Sequence, residues 1–167
     1  MTASAPRVLV AGIGNIFLGD DGFGVEVIRR MSSRAVPEGV CLRDFGIRGL
    51  DLAYALNEQW DLVILVDALP RGETPGTVFV LEPATEDLEA GLQTGIQTHG
   101  MDPVQAIQMA KSLGGIPQEL LVVGCEPADL GGEDGAIGLS PEVDNAIEMA
   151  IETIIQFVKQ APALAPR

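Results

Sequence analysis

The 167-residue sequence predicts an α/β fold, in which strands and helices alternate along the chain to form layers. Short apolar runs alternate with amphipathic, helix-like patterns, which is the main observation behind this prediction. Hydrophobic residues make up 47% of the chain, enough to build one buried core. Either half of the chain alone would be short of core. We therefore expect one domain over residues 1–167, with its core at about 7–158 and short flexible ends.

Five apolar segments are predicted to be β-strands. The first is a continuous apolar run, typical of a strand buried on both faces, and the third ends directly at Asp67. The segments are residues 8–12, 40–45, 62–66, 77–81 and 120–124. Residues 83–98 are polar and weakly patterned and are expected to contain a long loop. Residues 126–139 form a second loop, rich in glycine and acidic side chains.

Four helices are predicted between and after these strands. The first follows Asp20 and Asp21, and the second spans residues 50–57. The third begins with Asp102 as N-cap and Pro103 at its first position. The last begins at residue 140, where a serine occupies the N-cap position. The apolar faces of the first and last helices consist of Phe23, Val27, Ile28 and Met31, and of Val143, Ile147, Ala150, Ile151, Ile154 and Val158.

The chain is strongly acidic, with 24 acidic and 10 basic residues and a net charge of −14. Such a surface repels phosphate groups, so we expect neither nucleic acid nor anionic lipid as a partner. No apolar run approaches the roughly 20 residues of a transmembrane helix, and glycines interrupt the apolar start before it could form a signal peptide. Two cysteines are too few for a disulfide framework. We therefore expect a cytoplasmic protein without membrane insertion.

A Gly-Ile-Gly motif at residues 12–14 follows the first strand and suggests a dinucleotide site. Phe17, however, stands where a third glycine would permit close packing between helix and strand. Asp20 and Asp21 lie where the helix N-terminus would meet a pyrophosphate, and two carboxylates there repel an anion. The sequence therefore argues against dinucleotide binding.

Aspartates and the single histidine at predicted loop positions could carry chemistry. Capping of the first helix needs only one of Asp20 and Asp21, so the other is open to a role in a site. Asp67 is either a turn residue or a partly buried ligand. If strands one and three are parallel neighbours, Asp67 lies beside the first loop. Two such carboxylates with His99, which precedes the third helix, would suit Zn, Ni, Mn or Fe.

Cys125 and Glu126 follow the fifth strand at the same predicted edge. Cys125 could form a nucleophile pair with His99, but a small buried side chain is the favoured interpretation. Glu126 is either structural or faces the site. Cys41 lies within the second strand and is expected to belong to the core.

The order and spacing of several motifs resemble those of the hydrogenase maturation proteases. These are endopeptidases that trim the C-terminus of the large subunit of nickel–iron hydrogenases. The resemblance covers about residues 7–158. It rests on residues 12–24 (GIGN followed by LGDDGFG), 44–52 (DFGIRGLDL), 66–68 (VDA), 98–100 (THG) and 124–127 (GCEP).

The resemblance implies a three-layer α/β/α sandwich around a twisted, five-stranded, mostly parallel sheet. It also implies that the family's three metal-contacting positions fall on Asp21, Asp67 and His99. Asp21 is one methylene shorter than the glutamate that relatives often have at this position. These three residues would be both the catalytic residues and the metal contacts.

The family resemblance further implies the hydrogenase large-subunit precursor as partner, with a monomer sufficing to bind it. The precursor brings nickel bound by its own cysteines, for which other divalent metals could substitute. The three residues could complete the coordination of that nickel, which would polarise a carbonyl or activate water. A carboxylate could instead act as general base in an aspartic-type hydrolysis. The alternative from another class is a non-catalytic nickel-binding hydrogenase assembly factor with the same three residues.

Overall fold

The computed structural model describes residues 4–83, 103–117 and 119–162. Five strands in these ranges form one sheet with the order β2-β1-β3-β5-β4. The strands are β1 (Val8–Ile13), β2 (Val40–Gly46), β3 (Leu62–Ala68), β4 (Val78–Leu81) and β5 (Leu120–Cys125). Neighbouring strands are parallel, except that β4 runs antiparallel to β5. The five-stranded, mostly parallel sheet is as predicted.

Helices cover both faces of this sheet. A 3-10 turn over Gly19–Gly22 leads into α1 (Phe23–Ser32), and the other helices are α2 (Gly49–Leu56), α3 (Pro103–Leu113) and α4 (Pro141–Gln160). α1 and α4 pack on one face, and α2 and α3 pack on the other. The structure thus confirms the three-layer α/β/α architecture. Within the described ranges, no helix is both long and apolar enough to cross a membrane.

The alternation of side chains along the strands divides the core into two clusters. β1 is buried at all six positions, as its continuous apolar run predicts. Val10 packs in one cluster with α1 and α4. Leu9 packs in the other cluster with α2 and α3. The sheet edge formed by the carboxyl ends of the parallel strands, here termed the carboxyl edge, lies between the two helical layers.

Element ends differ from the predictions by one or two residues, and one of these differences affects the site. β3 extends to Ala68, so Asp67 lies inside the strand rather than after it. β5 likewise includes Cys125. The predicted N-cap of α3, Asp102, and all of the predicted loop at 83–98 except its first residue lie outside the described residues.

Candidate active site

A close approach between α1 and the sheet brings the first loop to the end of β3. Gly24 makes this possible, because a Cβ atom there would lie 2.1 Å from the carbonyl oxygen of Val66 and 2.5 Å from that of Ile13. Gly12 faces it, and a Cβ on Gly12 would lie 2.5 Å from the carbonyl oxygen of Gly24. Only glycine permits such contacts. The turn before α1 is therefore held against the carboxyl ends of β1 and β3.

Phe17 does not obstruct this packing, so the prediction that it prevents close contact between helix and strand is wrong. The Phe17 side chain is 61% exposed. Its N–H donates a hydrogen bond to Oδ1 of Asn15 at 2.9 Å, within the loop. The glycine that allows helix and strand to meet is Gly24, seven residues further along the chain.

Asp21 lies in the turn before α1, next to the carboxyl end of β1. Its Oδ2 accepts a hydrogen bond from the main-chain N–H of Asn15 at 2.8 Å. Burial raises the pKa of the Asp21 carboxyl above its ordinary value of 3.8, and the hydrogen bond from Asn15 offsets only part of this increase. Because burial disfavours the charged form, Asp21 is a stronger base than an exposed aspartate.

Asp67 occupies the penultimate position of β3 and is 5% exposed. Its neighbour in the parallel register of β5 is Gly124. Alternation along the strand puts the Asp67 side chain on the same face as Val63 and Leu65, which belong to the α2 and α3 layer. β1 and β3 are parallel neighbours, which is the condition that the sequence argument required. Asp67 therefore lies beside the loop that contains Asp21.

Two of the three predicted site residues thus lie on neighbouring segments of the carboxyl edge. Asp21 follows β1, and Asp67 is close to the end of β3. His99 lies outside the described residues. Across residues 4–83, 103–117 and 119–162, no three His, Cys, Asp or Glu side chains form a group that could hold a metal ion. The metal-contacting set of Asp21, Asp67 and His99 stays a prediction.

Asp20 has a structural role that the sequence analysis missed. The residue is completely buried, and its carboxylate accepts four hydrogen bonds of 2.7 to 2.9 Å. The donors are the main-chain N–H groups of Ala128, Asp129 and Ser140 and the hydroxyl group of Ser140. Neither the 3-10 turn nor α1 has a side-chain cap. The interpretation of an aspartate as the cap of the first helix is therefore wrong.

These hydrogen bonds fasten the loop at residues 126–140 to the turn that contains Asp21. Burial alone would raise the pKa of Asp20, but the bonds from Asp129, Ser140 and Ala128 outweigh it and hold the pKa below its ordinary value of 3.8. The main-chain N–H of Asp20 also donates to the carbonyl oxygen of Asp129 at 2.8 Å. We define Asp20, Ala128, Asp129 and Ser140 as the Asp20 clasp. The hydroxyl group of Ser140, the residue expected to cap α4, donates its hydrogen bond to Asp20 instead.

Cys125 is a buried core residue, as the favoured interpretation predicts. It is 0% exposed and packs in the cluster with α1 and α4. Burial, followed by the charges of Asp20 and Glu126, raises the pKa of its thiol to about 12. The thiol therefore stays protonated at neutral pH, whereas a nucleophilic cysteine must be a thiolate. Cys41 is partly buried and packs at the border of the opposite cluster.

Glu126 is structural rather than part of the site. It is 6% exposed, and its Oε2 accepts a hydrogen bond from the main-chain N–H of Arg71 at 2.7 Å. Its own N–H donates to Thr77, and its carbonyl oxygen accepts from Gly76. Glu126 thereby fixes the connection between β3 and β4 to the end of β5.

Comparison with known proteins gives the family context of this site. The model of the hydrogenase maturation protease family matches residues 25–157. The hydrogenase expression/formation protein HupM of Azotobacter chroococcum mcd 1 is 34% identical over 99% of this chain and 78% of its own length. HupD of Rhizobium leguminosarum bv. viciae, a hydrogenase expression/formation protein, is 35% identical over 93% of this chain and 75% of its own.

Solved structures lead to the same family. HybD, the hydrogenase maturating endopeptidase of Escherichia coli, is 29% identical, with a TM-score of 0.79 over 92% of this chain and 93% of its own. A solution structure of an endopeptidase from Escherichia coli is 30% identical, with a TM-score of 0.80 over 94% of each chain. Fold and relatives together define a peptidase of the hydrolase class. The chain belongs to the hydrogenase maturation protease family.

Proposed function

We propose that this protein removes the C-terminal peptide from the nickel-loaded large-subunit precursor of a nickel–iron hydrogenase. The supporting observation is the pair of buried or partly buried aspartates, Asp21 and Asp67, at the carboxyl edge of the sheet. In a chain of the hydrogenase maturation protease family, these two carboxylates lie at the carboxyl ends of parallel strands, where α/β proteins bind their ligands.

We assign His99 to the same proposed set because the start of α3, four residues later in the chain, leaves it within reach of the same edge. Asn57, at the end of α2, donates to the carbonyl oxygen of Ala110 near the end of α3 at 3.2 Å. Because β3 begins shortly after α2 ends, the end of α3 near Ala110 lies at the opposite, amino edge of the sheet. The start of α3, at Pro103, therefore faces the carboxyl edge. Four chain steps from Pro103 to His99 span at most about 14 Å. A histidine four residues before Pro103 is therefore within reach of the carboxyl edge, where Asp21 and Asp67 lie.

Two chemical routes are compatible with these residues. In the first, Asp21, Asp67 and His99 complete the coordination of nickel that the precursor brings, since carboxylates and imidazole suit such ions. The substrate's nickel then polarises the scissile carbonyl or lowers the pKa of a water molecule. In the second, Asp21 accepts a proton from the attacking water, a role favoured by the pKa that burial raises.

A non-catalytic nickel-binding assembly factor would use the same three residues. The comparisons do not favour this alternative, because similar proteins include the hydrogenase 2 maturation protease of Escherichia coli, at 28% identity. Loss of a C-terminal fragment from the precursor separates the two functions, whereas metal binding does not.

The decisive experiment is a processing assay with two forms of one precursor. The purified protein is incubated with the nickel-loaded and with the nickel-free large-subunit precursor, and mass spectrometry determines the C-terminus of each product. We expect cleavage of the nickel-loaded form alone. Cleavage of both forms would favour Asp21 as general base over the nickel route. A precursor that binds and stays uncut would contradict the proposed function.

Asp67→Asn tests the catalytic set. An amide neither neutralises a cation nor accepts a proton at neutral pH, so we expect the processing rate to fall by about 100-fold or more. The matched control is Asp61→Asn, because Asp61 precedes the same strand at the amino edge and accepts a hydrogen bond from the N–H of Arg7. Single-turnover cleavage is measured with Tm as the check on folding. Wild-type processing by Asp67→Asn would exclude Asp67 from the catalytic set.

The proposal also covers the charge of the partner surface, the oligomeric state and the cellular compartment. A net charge of −14 favours a cationic contact surface on the precursor. We propose a monomer that acts in the cytoplasm, with Cys41 and Cys125 as free thiols. Sedimentation of the purified protein, alone and with the precursor, tests the monomer and the 1:1 complex.

A further inference from the structure

Exposed apolar side chains are concentrated around the candidate active site. Nine large apolar side chains are exposed among the described residues, and five of them lie on loops or at a helix start at the carboxyl edge. Exposed apolar side chains that gather on one side of a protein indicate a contact surface, whereas scattered ones do not. We define these five residues as the apolar rim: Ile16, Phe17, Ile47, Leu50 and Ile137.

The first half of the rim is directly connected to Asp21. The carbonyl oxygen of Phe17 accepts a hydrogen bond from Ala136 at 2.9 Å, and Leu18 forms a bridge with Ala136. Phe17 and Ile137 therefore lie on two adjoining loop segments. Asn15, two residues before Phe17, donates its N–H to the Asp21 carboxylate. This half of the rim borders the proposed catalytic aspartate.

The second half of the rim lies on the β2 side of the same loop. The N–H of Gly14 donates to the carbonyl oxygen of Gly46 at 2.9 Å, and Ile47 follows directly. Leu50 is the second residue of α2, the helix that covers the face towards which Asp67 points. Apolar side chains therefore flank the candidate site on both sides of the loop before α1.

The Asp20 clasp holds the first half of the rim in place. The loop at residues 126–140 is fixed at Ala128, Asp129 and Ser140, yet Ile137 within it is 87% exposed. An apolar side chain left in water contributes little to folding. Holding it in a defined position lowers the entropy that a binding partner must overcome. This arrangement is expected of a preformed contact surface.

The charges around the rim indicate the chemistry of the occupant. The sequence has no Lys or Arg at residues 14–22 or 126–140, and Asp129, Glu133 and Asp134 are exposed in the second of these segments. Arg48, beside Ile47, is already bonded to the carbonyl oxygen of Phe45 and paired with Asp51. A partner segment with both large apolar and basic side chains is complementary to this surface.

We propose that the apolar rim binds an extended segment of the substrate polypeptide, next to the bond that is cut, in which large apolar side chains accompany basic ones. The inference rests on the proposed function, because an endopeptidase must hold its substrate chain beside the scissile bond. A second copy of this chain fits less well, since the acidic loops of two copies repel each other.

Steady-state cleavage of the nickel-loaded precursor by Phe17→Ala and Ile137→Ala tests this proposal. The matched control is Met149→Ala, since Met149 is an apolar residue on α4 that is 57% exposed, close to the 61% of Phe17. We expect KM to rise about 10-fold in the two rim variants, as for loss of an apolar contact in a binding pocket. The kcat value and Tm should stay close to wild type, and Met149→Ala should change neither KM nor kcat. Equal KM values in rim and control variants would overturn the proposal.

A substrate variant and a binding measurement complete the test. When large apolar residues flanking the cut bond are changed to serine, we expect KM to rise for the wild type but little further for Phe17→Ala, as in a double-mutant cycle. If wild type leaves the precursor uncut, the proposed function fails. The Kd for the precursor then tests whether the rim binds the substrate. A 10-fold higher Kd for Phe17→Ala than for the wild type would support the proposal, and an equal Kd would overturn it. Rim variants that change self-association in sedimentation but not KM would show a second copy as the occupant instead.

Discussion

Asp20 and Asp21 are adjacent in the sequence, yet their carboxylates lie in environments that shift their pKa values in opposite directions. Asp20 is completely buried and accepts four hydrogen bonds from residues more than a hundred positions away. Asp21 remains partly exposed at the sheet edge and accepts one main-chain hydrogen bond, from Asn15. The pKa of Asp20 lies below its ordinary value, and that of Asp21 lies above it.

The difference shows how one turn can serve both stability and chemistry. The donors around Asp20 stabilise its charge, so this carboxylate strengthens the fold. The hydrogen bond from Asn15 offsets only part of the effect of burial on Asp21, so the charge of this carboxylate destabilises the native state. A costly carboxylate at a substrate-accessible edge is typical of a functional site, where groups are kept for reactivity rather than for stability.

The largest expected effect comes from Asp20→Asn. An amide presents one acceptor oxygen and an NH2 group to four donors, so several buried N–H groups lose their partner. We expect the free energy of unfolding to fall by about 3 kcal/mol, or Tm by about 10 °C. Asp21→Asn is the matched control, since its oxygen can still accept from Asn15. Its Tm should equal or exceed that of the wild type, while its processing is lost. Equal thermal losses in the two variants would remove the distinction between these aspartates.

Acid titration of the two variants sharpens the same comparison. The pKa of Asp20 is lower in the native state than its ordinary value of 3.8. The stability that its charge contributes is therefore complete above pH 3.8 and is lost as the pH falls through the native pKa. The deficit of Asp20→Asn should therefore shrink as pH falls below 3.8. The pKa of Asp21 is higher in the native state than its ordinary value of 3.8. The stability that its protonated form contributes is therefore complete below pH 3.8 and is lost as the pH rises through the native pKa. Any gain of stability in Asp21→Asn should accordingly disappear in acid, as urea unfolding at stepped pH would show.

The sequence predicted the alternation of strands and helices well because those signals are local. The continuous apolar run at β1 and the periodic face of α4 each follow from neighbouring residues. Asp67 was expected beside the loop that contains Asp21 on the condition that strands one and three are parallel neighbours, and β1 and β3 do pair in parallel. The assignment of both aspartates to a metal-contacting set comes from the family resemblance and stays a prediction.

The role of Asp20 could not be predicted in this way. Its partners are 108 to 120 residues away along the chain, and no local pattern links a turn before α1 to the start of α4. A serine before a helix normally predicts a cap, so Ser140 gave a misleading signal. The requirement for glycine at position 24 could not be predicted either, because a side chain there clashes with Val66 only once α1 packs against the end of β3.

Ser140→Ala gives a smaller and more specific perturbation of the Asp20 clasp. It removes the hydroxyl that donates to Asp20 at 2.9 Å and leaves the main-chain N–H bond from the same residue in place. One hydrogen bond to a charged acceptor contributes about 1.5 kcal/mol, so we expect a loss of that size in urea unfolding. Ser112→Ala, an exposed serine in α3, should change stability by less than about 0.5 kcal/mol. A neutral Ser140→Ala would mean that the main-chain donors alone satisfy Asp20.

The smallest effect on activity is expected from Cys125→Ala. Cys125 is the register neighbour of Ala68, one residue beyond the pair formed by Asp67 and Gly124. Its side chain consequently lies on the α1 and α4 face, with the sheet between it and the face of Asp67.

Loss of the sulfur atom from this packed position should cost about 1 kcal/mol of stability. The processing rate should stay within about twofold of wild type, because a thiol with a pKa of about 12 offers almost no thiolate at neutral pH. Iodoacetamide treatment of the folded wild-type protein should likewise leave processing intact. A large loss of processing in Cys125→Ala at unchanged stability would instead place the nucleophile in the α1 and α4 layer and remove the aspartates from the attack on the peptide bond.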